Sequence, residues 1–165
     1  MEYLQVFDDN KNMLDEKIER DKKLLLKDGK RFMIIVVFIE NNEKKFLLQK
    51  TSLEKDSIIA TTGGHATYGD DGIKTTIKET YEELGIELDS NEINYVDTII
   101  YPKCYVEVYY VNKNIDINVI KLQAEEVESV SWYTIDEIKD LIKNNSFRKS
   151  NIEPFEKVLE FRKNR

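Results

Sequence analysis

The run Met33-Ile34-Ile35-Val36-Val37-Phe38-Ile39 leaves this chain few architectures to choose from. It is uninterrupted, mostly β-branched and far shorter than the roughly 20 apolar residues that span a bilayer. No polar residue relieves it at every second position, so it reads as a strand covered on both faces, and a central sheet with a layer on each side follows. Lys45 to Gln49 makes a second strand after the polar turn Asn41-Asn42-Glu43. Tyr3 to Phe7 and Met13 to Ile18 flank the turn-rich Asp8-Asp9-Asn10-Lys11-Asn12 and predict a hairpin. Ile93 to Tyr101 and Tyr105 to Val111, separated by Pro102-Lys103, predict another antiparallel pair in which Tyr101, Tyr105, Tyr109 and Tyr110 are sheet-face residues. Val127 to Tyr133 adds a short strand.

Three helices complete the pattern. Ile73, Ile77 and Leu84 recur at helical spacing between an N-cap candidate, Asp71, and Gly85, so a helix covers residues 72 to 84. Thr134 or Asp136 caps a second helix running to about Asn144, and Pro154 opens a third containing Phe155, Val158, Leu159 and Phe161. Strands mixed with helices in this order imply an α/β (α+β) fold, an α/β/α sandwich around a mixed β-sheet. With 165 residues, 41% of them hydrophobic, and no linker or repeat, residues 1 to 165 are expected to form one domain.

Charge and cysteine usage exclude several functions. A net charge of −7 argues against a duplex nucleic-acid binder, which needs Lys and Arg to neutralise phosphates. Cys104, the single cysteine, allows neither a disulfide framework nor a thiolate metal cluster and reads as a small apolar filler. Met1 to Asn10 lacks the basic start and apolar run of a signal peptide, so the expected location is the cytoplasm, with no membrane partner. Oligomeric state stays open.

The chemistry concentrates in the middle helix. Glu79, Glu82 and Glu83 stand at i, i+3 and i+4, which projects three carboxylates from one face within about 6 Å of each other. Such a cluster repels itself unless a hard cation, which takes several oxygen ligands, removes the repulsion. A solvated glutamate face would account for the triplet alone, but the context is longer. The string Gly64-x5-Asp70-x7-Lys78-Glu79-Thr80-Tyr81-Glu82-Glu83-Leu84-Gly85-Ile86 resembles the Nudix box over residues 64 to 86. Asp70 stands where the family has Glu, Lys78 where it has Arg, and Thr80 where it has an apolar residue. Asp70 keeps the charge on a shorter stem, and Lys78 keeps a cation without the planar fork of a guanidinium.

Glu2-Tyr3-Leu4-Gln5-Val6-Phe7-Asp8, Phe46-Leu47-Leu48-Gln49-Lys50 and Gly63-Gly64-His65 look like the branch of the family related to isopentenyl-diphosphate isomerase. The isomerase itself carries a catalytic Cys where this chain has Gly63 and uses several His ligands, whereas His65 is the only histidine here.

The resemblance implies a Nudix fold and Mg²⁺- or Mn²⁺-dependent hydrolysis of a diphosphate bond in a nucleoside diphosphate linked to another group. It implies metal ligation by Glu79, Glu82, Glu83 and the backbone carbonyl of Gly63, with the same glutamates as candidate bases and Gly64, Asp70, Lys78 and Gly85 in structural roles. Glu126, six positions before Trp132, has the spacing at which the family often adds a carboxylate to the catalytic set, with Glu125 and Glu128 as its neighbours. His65, Lys50 and Lys55 are candidates for contacting a small, nucleotide-derived phosphorylated substrate, against the plainer readings of a structural histidine and surface lysines. Two other readings compete with it: a binding module that keeps the fold without the chemistry, and a prenyl-diphosphate isomerase. The first usually loses box glutamates and the second needs the missing Cys and His.

Overall fold

The computed structural model describes residues 1–164 and realises the expected sandwich, a mixed sheet with helices on both faces. Strand β3 (Phe32–Glu40) is its centre. It runs parallel to β8 (Cys104–Asn112) from the Phe32 and Cys104 pair to the Glu40 and Asn112 pair. Its other edge is shared. Near its start it pairs antiparallel with β6 (Thr62–His65), Val36 opposite Gly63, and at its end with β4 (Lys45–Thr51), Glu40 opposite Phe46. Outward from these, β7 (Asn94–Ile100) pairs with β8, while β5 (Ile59–Ala60) and β9 (Val127–Thr134) both pair antiparallel with β4. A separate hairpin, β1 (Tyr3–Phe7) with β2 (Met13–Glu19), lies outside this sheet.

The alternation of β3 explains why its sequence is apolar throughout. Met33, Ile35, Val37 and Ile39 enter one core with Leu84 and Ile86 at the end of α1 (Gly72–Leu84). Val36 and Phe38 enter the opposite core with Ile138 of α2 (Ile135–Lys143) and Phe155 and Val158 of α3 (Ile152–Lys163). Both faces are therefore dry, as the uninterrupted run requires. Cys104 packs at the edge of a third cluster, formed by Leu4, Val6, Leu26 and Phe32 under the hairpin, in the apolar role expected of it.

Three local features differ from the sequence reading or refine it. Gly63-Gly64-His65, to which the sequence assigns no strand, forms strand β6, because the open edge of β3 at Ile34 to Val37 needs a partner and this outweighs the poor strand propensity of glycine. Helix α2 takes Thr134 and not Asp136 as its cap: Thr134 Oγ1 accepts from the Glu137 amide at 3.1 Å, and Glu137 Oε1 accepts from the Thr134 amide at 2.8 Å. Helix α3 starts at Ile152, with Pro154 inside its first turn, where a missing N–H costs no intrahelical bond. Among the described residues no helix is long and apolar enough to cross a membrane.

Candidate active site

The helix that carries the glutamates is held at both ends. Asp71 caps α1 by accepting from the Lys74 amide at 2.8 Å, and the helix stops at Gly85, whose φ of 68° is left-handed. Gly72 packs so tightly on β8 that any Cβ there would collide with Glu107 Oε1 and the Tyr109 hydroxyl. Thr80, the departure from an apolar box residue, is fully buried. Its hydroxyl donates to the Thr76 carbonyl at 2.7 Å, so only its methyl faces the core and no polar atom is stranded.

The three box glutamates have different surroundings. Glu82 is exposed. Glu79 is half-buried and lies against the Cα of Gly64 in β6. Glu83 is buried at 8% exposure and accepts a hydrogen bond from Gln49 Nε2 at 3.0 Å, while Thr62 Oγ1 donates to Gln49 Oε1 at 3.1 Å. That relay from β6 through β4 fixes the direction in which the Glu83 carboxyl points. Burial, joined by the charges of Glu83 and Glu82, pushes the Glu79 carboxyl up to about 8. Burial also pushes Glu83 up to about 7, opposed by the Gln49 hydrogen bond and aided by the charge of Glu126.

Glu83 opens onto a cleft of about 340 Å³ whose walls include Gly63, Gly64, His65, Lys55, Gln49 and Glu126. Glu126 reaches it from the turn before β9. The β4–β9 ladder pairs Lys50 with Ser129 but Thr51 with Val127, so Glu128 is an extra residue, a bulge that bends the strand where Glu126 leaves it. The Lys55 ammonium is ion-paired with Glu126, and Arg148 with Asp56 at 2.5 Å. His65 stacks on Phe32 with ring centroids 5.6 Å apart and receives Lys23 Nζ at 2.8 Å from Nε2. Burial and the charges of Arg20, Lys23 and Lys55 hold its pKa down to about 3, so the ring is neutral across the physiological range.

Other candidates lie outside the cleft. Lys50 is on the opposite face of β4 from Gln49 and Thr51 and pairs with Glu128 at 3.3 Å. Asp70 and Lys78 are 3.9 Å apart beside Thr67, which bonds to both, and this brace shapes the approach to α1. Among the described residues no three His, Cys, Asp or Glu side chains converge as they would around a metal ion. Sequence reasoning missed Gln49, Arg20 and Arg148. Gln49 carries a usable signal, a polar residue ending an apolar strand, but the other two reach the cleft through tertiary packing alone.

A family model described as the NUDIX domain matches residues 30–154. An uncharacterized Nudix hydrolase of Listeria monocytogenes is 23% identical over 151 residues, spanning 89% of this chain and 88% of its own length. Two solved structures share the fold. The crystal structure of DR0079 from Deinococcus radiodurans has a TM-score of 0.71 at 16% identity, over 88% of this chain and 91% of that one. The solution structure of the E. coli ORF135 protein has a TM-score of 0.63 at 17% identity, over 82% and 93%.

Proposed function

This chain belongs to the NUDIX domain family, and on that premise we propose that it hydrolyses a diphosphate bond in a nucleoside diphosphate linked to another group, with Mg²⁺ or Mn²⁺ as cofactor. The observation that carries the reading is the pair Glu79 and Glu83, desolvated carboxyls one helical turn apart, Glu79 packed against Gly64 and Glu83 opening onto a cleft that also holds Glu126. The donor chemistry suits a hard divalent cation: carboxylate oxygens are the ligands such ions take, and Glu79 and Glu83 are desolvated with like charges beside them. Bound there, the ion would polarise phosphorus and offset the charge that develops in the transition state.

Glu79, Glu82, Glu83 and the Gly63 carbonyl would hold it. Gln49 orients Glu83. Glu126 accepts the proton of the attacking water once Lys55 turns to the substrate, and His65 hydrogen-bonds a phosphate as a neutral ring. Lys50 faces away and takes no part. Gly63 stands where the isomerase itself would carry its catalytic cysteine, and Cys104 is packed under the hairpin, so water attack is favoured over isomerisation. In this reading residues 1 to 165 act as one cytoplasmic catalytic unit.

The test is release of phosphate or nucleoside monophosphate across dinucleotides, nucleotide sugars and nucleoside di- and triphosphates with Mg²⁺. Turnover that EDTA abolishes and Glu83→Gln lowers is expected. Saturable binding of these compounds without cleavage would make the protein a binding module instead.

A further inference from the structure

The 3₁₀ turn Arg20–Leu25, between β2 and β3, lies before the residues matched by the family model, yet it supplies part of the wall of the cleft. It is pinned there. The Arg20 amide donates to the Glu2 carbonyl at 3.0 Å, Gln5 of β1 donates to the Ala66 carbonyl at 3.1 Å, and Tyr68 donates to the Tyr3 carbonyl at 3.0 Å, so the hairpin is stitched to the segment that follows His65. Arg20 lines the cleft, and its guanidinium also bonds the exposed Glu2 at 2.8 Å. Lys23 bonds His65 and lies 5.1 Å from the centre of the Phe32 ring, and among the described residues it has no carboxylate within ion-pair distance. Burial and the neighbouring Arg20 charge lower its pKa, as expected of a cation lacking a counterion. Lys55 faces the same histidine from the loop after β4. Among the described residues the cleft wall contains no Phe, Tyr or Trp that would stack a base; its other polar residues include Thr61, Ser150 and Asn151.

We propose that Arg20 and Lys23, with Lys55 opposite, bind a phosphate monoester that the substrate carries in addition to the diphosphate being cleaved. The proposal rests on the hydrolase reading for its substrate but not for its site. Three cations gathered around one hydrogen-bonding side chain suit a compact dianion, and the diphosphate itself is assigned to the glutamate side of the same cleft. The N-terminal hairpin thereby selects phosphorylated over unphosphorylated members of a substrate class.

Two measurements separate this from the hydrolase reading. The first compares kcat and KM for NAD with NADP and for dephospho-coenzyme A with coenzyme A, pairs that differ by one phosphate monoester. A preference of about tenfold or more for the phosphorylated member is expected, the size of one or two charge-assisted hydrogen bonds. Lys23→Gln and Arg20→Gln should erase it by raising KM and not by lowering kcat, whereas Lys22→Gln, an exposed neighbour on the same turn, should keep it. The second is calorimetric binding of ribose 5-phosphate against ribose in EDTA, which needs no turnover. Tighter binding of ribose 5-phosphate that Lys23→Gln weakens supports the site even if none of the compounds is cleaved. Equal binding of the two sugars, or a phosphate preference unchanged in both variants, overturns it.

Discussion

A methyl group on Gly64 would stand 2.6 Å from Oε2 and 2.7 Å from Cγ of Glu79, so the strand and the helix carboxyl are in direct contact. Gly64→Ala should therefore swing Glu79 aside while leaving the sheet intact. Activity should fall about a hundredfold, the usual effect of an ångström-scale misplacement, with the melting temperature little changed. The neighbouring Gly63→Ala should fail differently, because its Cβ would meet the Ile35 carbonyl oxygen at 2.5 Å and backbone has to move. A stability loss of about 1–3 kcal/mol, typical of overpacking, is expected in denaturant titrations. Identical behaviour of the two variants would contradict this division.

Metal-free stability should fall as pH rises. Glu79 and Glu83 have folded-state pKa values raised from an ordinary 4.5 to about 8 and about 7. The folded state binds their protons more tightly, so this contribution is fully present below pH 4.5 and is lost as pH rises through 7 and 8. Melting in EDTA should thus show lower stability at pH 9 than at pH 6, and saturating Mg²⁺ should restore the alkaline value. A flat EDTA profile from pH 6 to 9 would show that these carboxyls are not desolvated in solution.

Glu126→Gln should lower kcat about a hundredfold at saturating Mg²⁺, within the range for a lost general base. Glu128→Gln loses only the 3.3 Å pair with Lys50 outside the cleft, and Glu125 meets Ser52 through its backbone carbonyl, so both variants should stay near wild type. Three equal rates would return the turn to the surface.

Asp70→Glu and Lys78→Arg restore the usual box and should preserve activity or raise it, since the present pair is 3.9 Å apart and bridged by Thr67. A loss beyond about tenfold, roughly 1.4 kcal/mol in the transition state, would mean that the approach to α1 has been rebuilt around the shorter carboxylate.

Arg162→Ala should cost stability without touching kinetics. Arg162 donates to both oxygens of the buried Glu40, at 2.9 and 2.6 Å, tying α3 to the end of β3. With 20% of the Arg162 side chain exposed, a loss of about 3 kcal/mol is expected, the lower end for breaking a buried pair. Urea unfolding with unchanged KM would verify it; a loss under about 1 kcal/mol would contradict it.

The box, helix α1 and strand β3 were legible because each is specified locally, by spacing, caps and an unbroken apolar run. Glu126 was legible from its distance to Trp132, although the bulge at Glu128 that bends the strand beside it was not. Strand β6 was hidden, since Gly63-Gly64-His65 has no strand character of its own and is extended only because β3 offers it an edge. Of the two candidate lysines, Lys55 lines the cleft and Lys50 does not, for a related reason. In Phe46-Leu47-Leu48 every residue is buried, so the run does not say which face the residues after it take, and Lys50 drew attention by its charge while Gln49 held the site. Arg20 reaches the cleft through the docking of a hairpin, for which one sequence gives no signal.

The alternation along β4 makes the site depend on the parity of chain length. Gln49 and Thr51 line the cleft because an odd number of steps separates them from Leu48, which faces the other core. Inserting or deleting one residue between the Asn41 turn and Gln49 would exchange the faces, sending Lys50 beside Glu83 and Gln49 to the far side, while inserting two would preserve them. Length variation in that hairpin should thus be tolerated in even increments, and a single-residue change there should dismantle the cleft as completely as the loss of a glutamate.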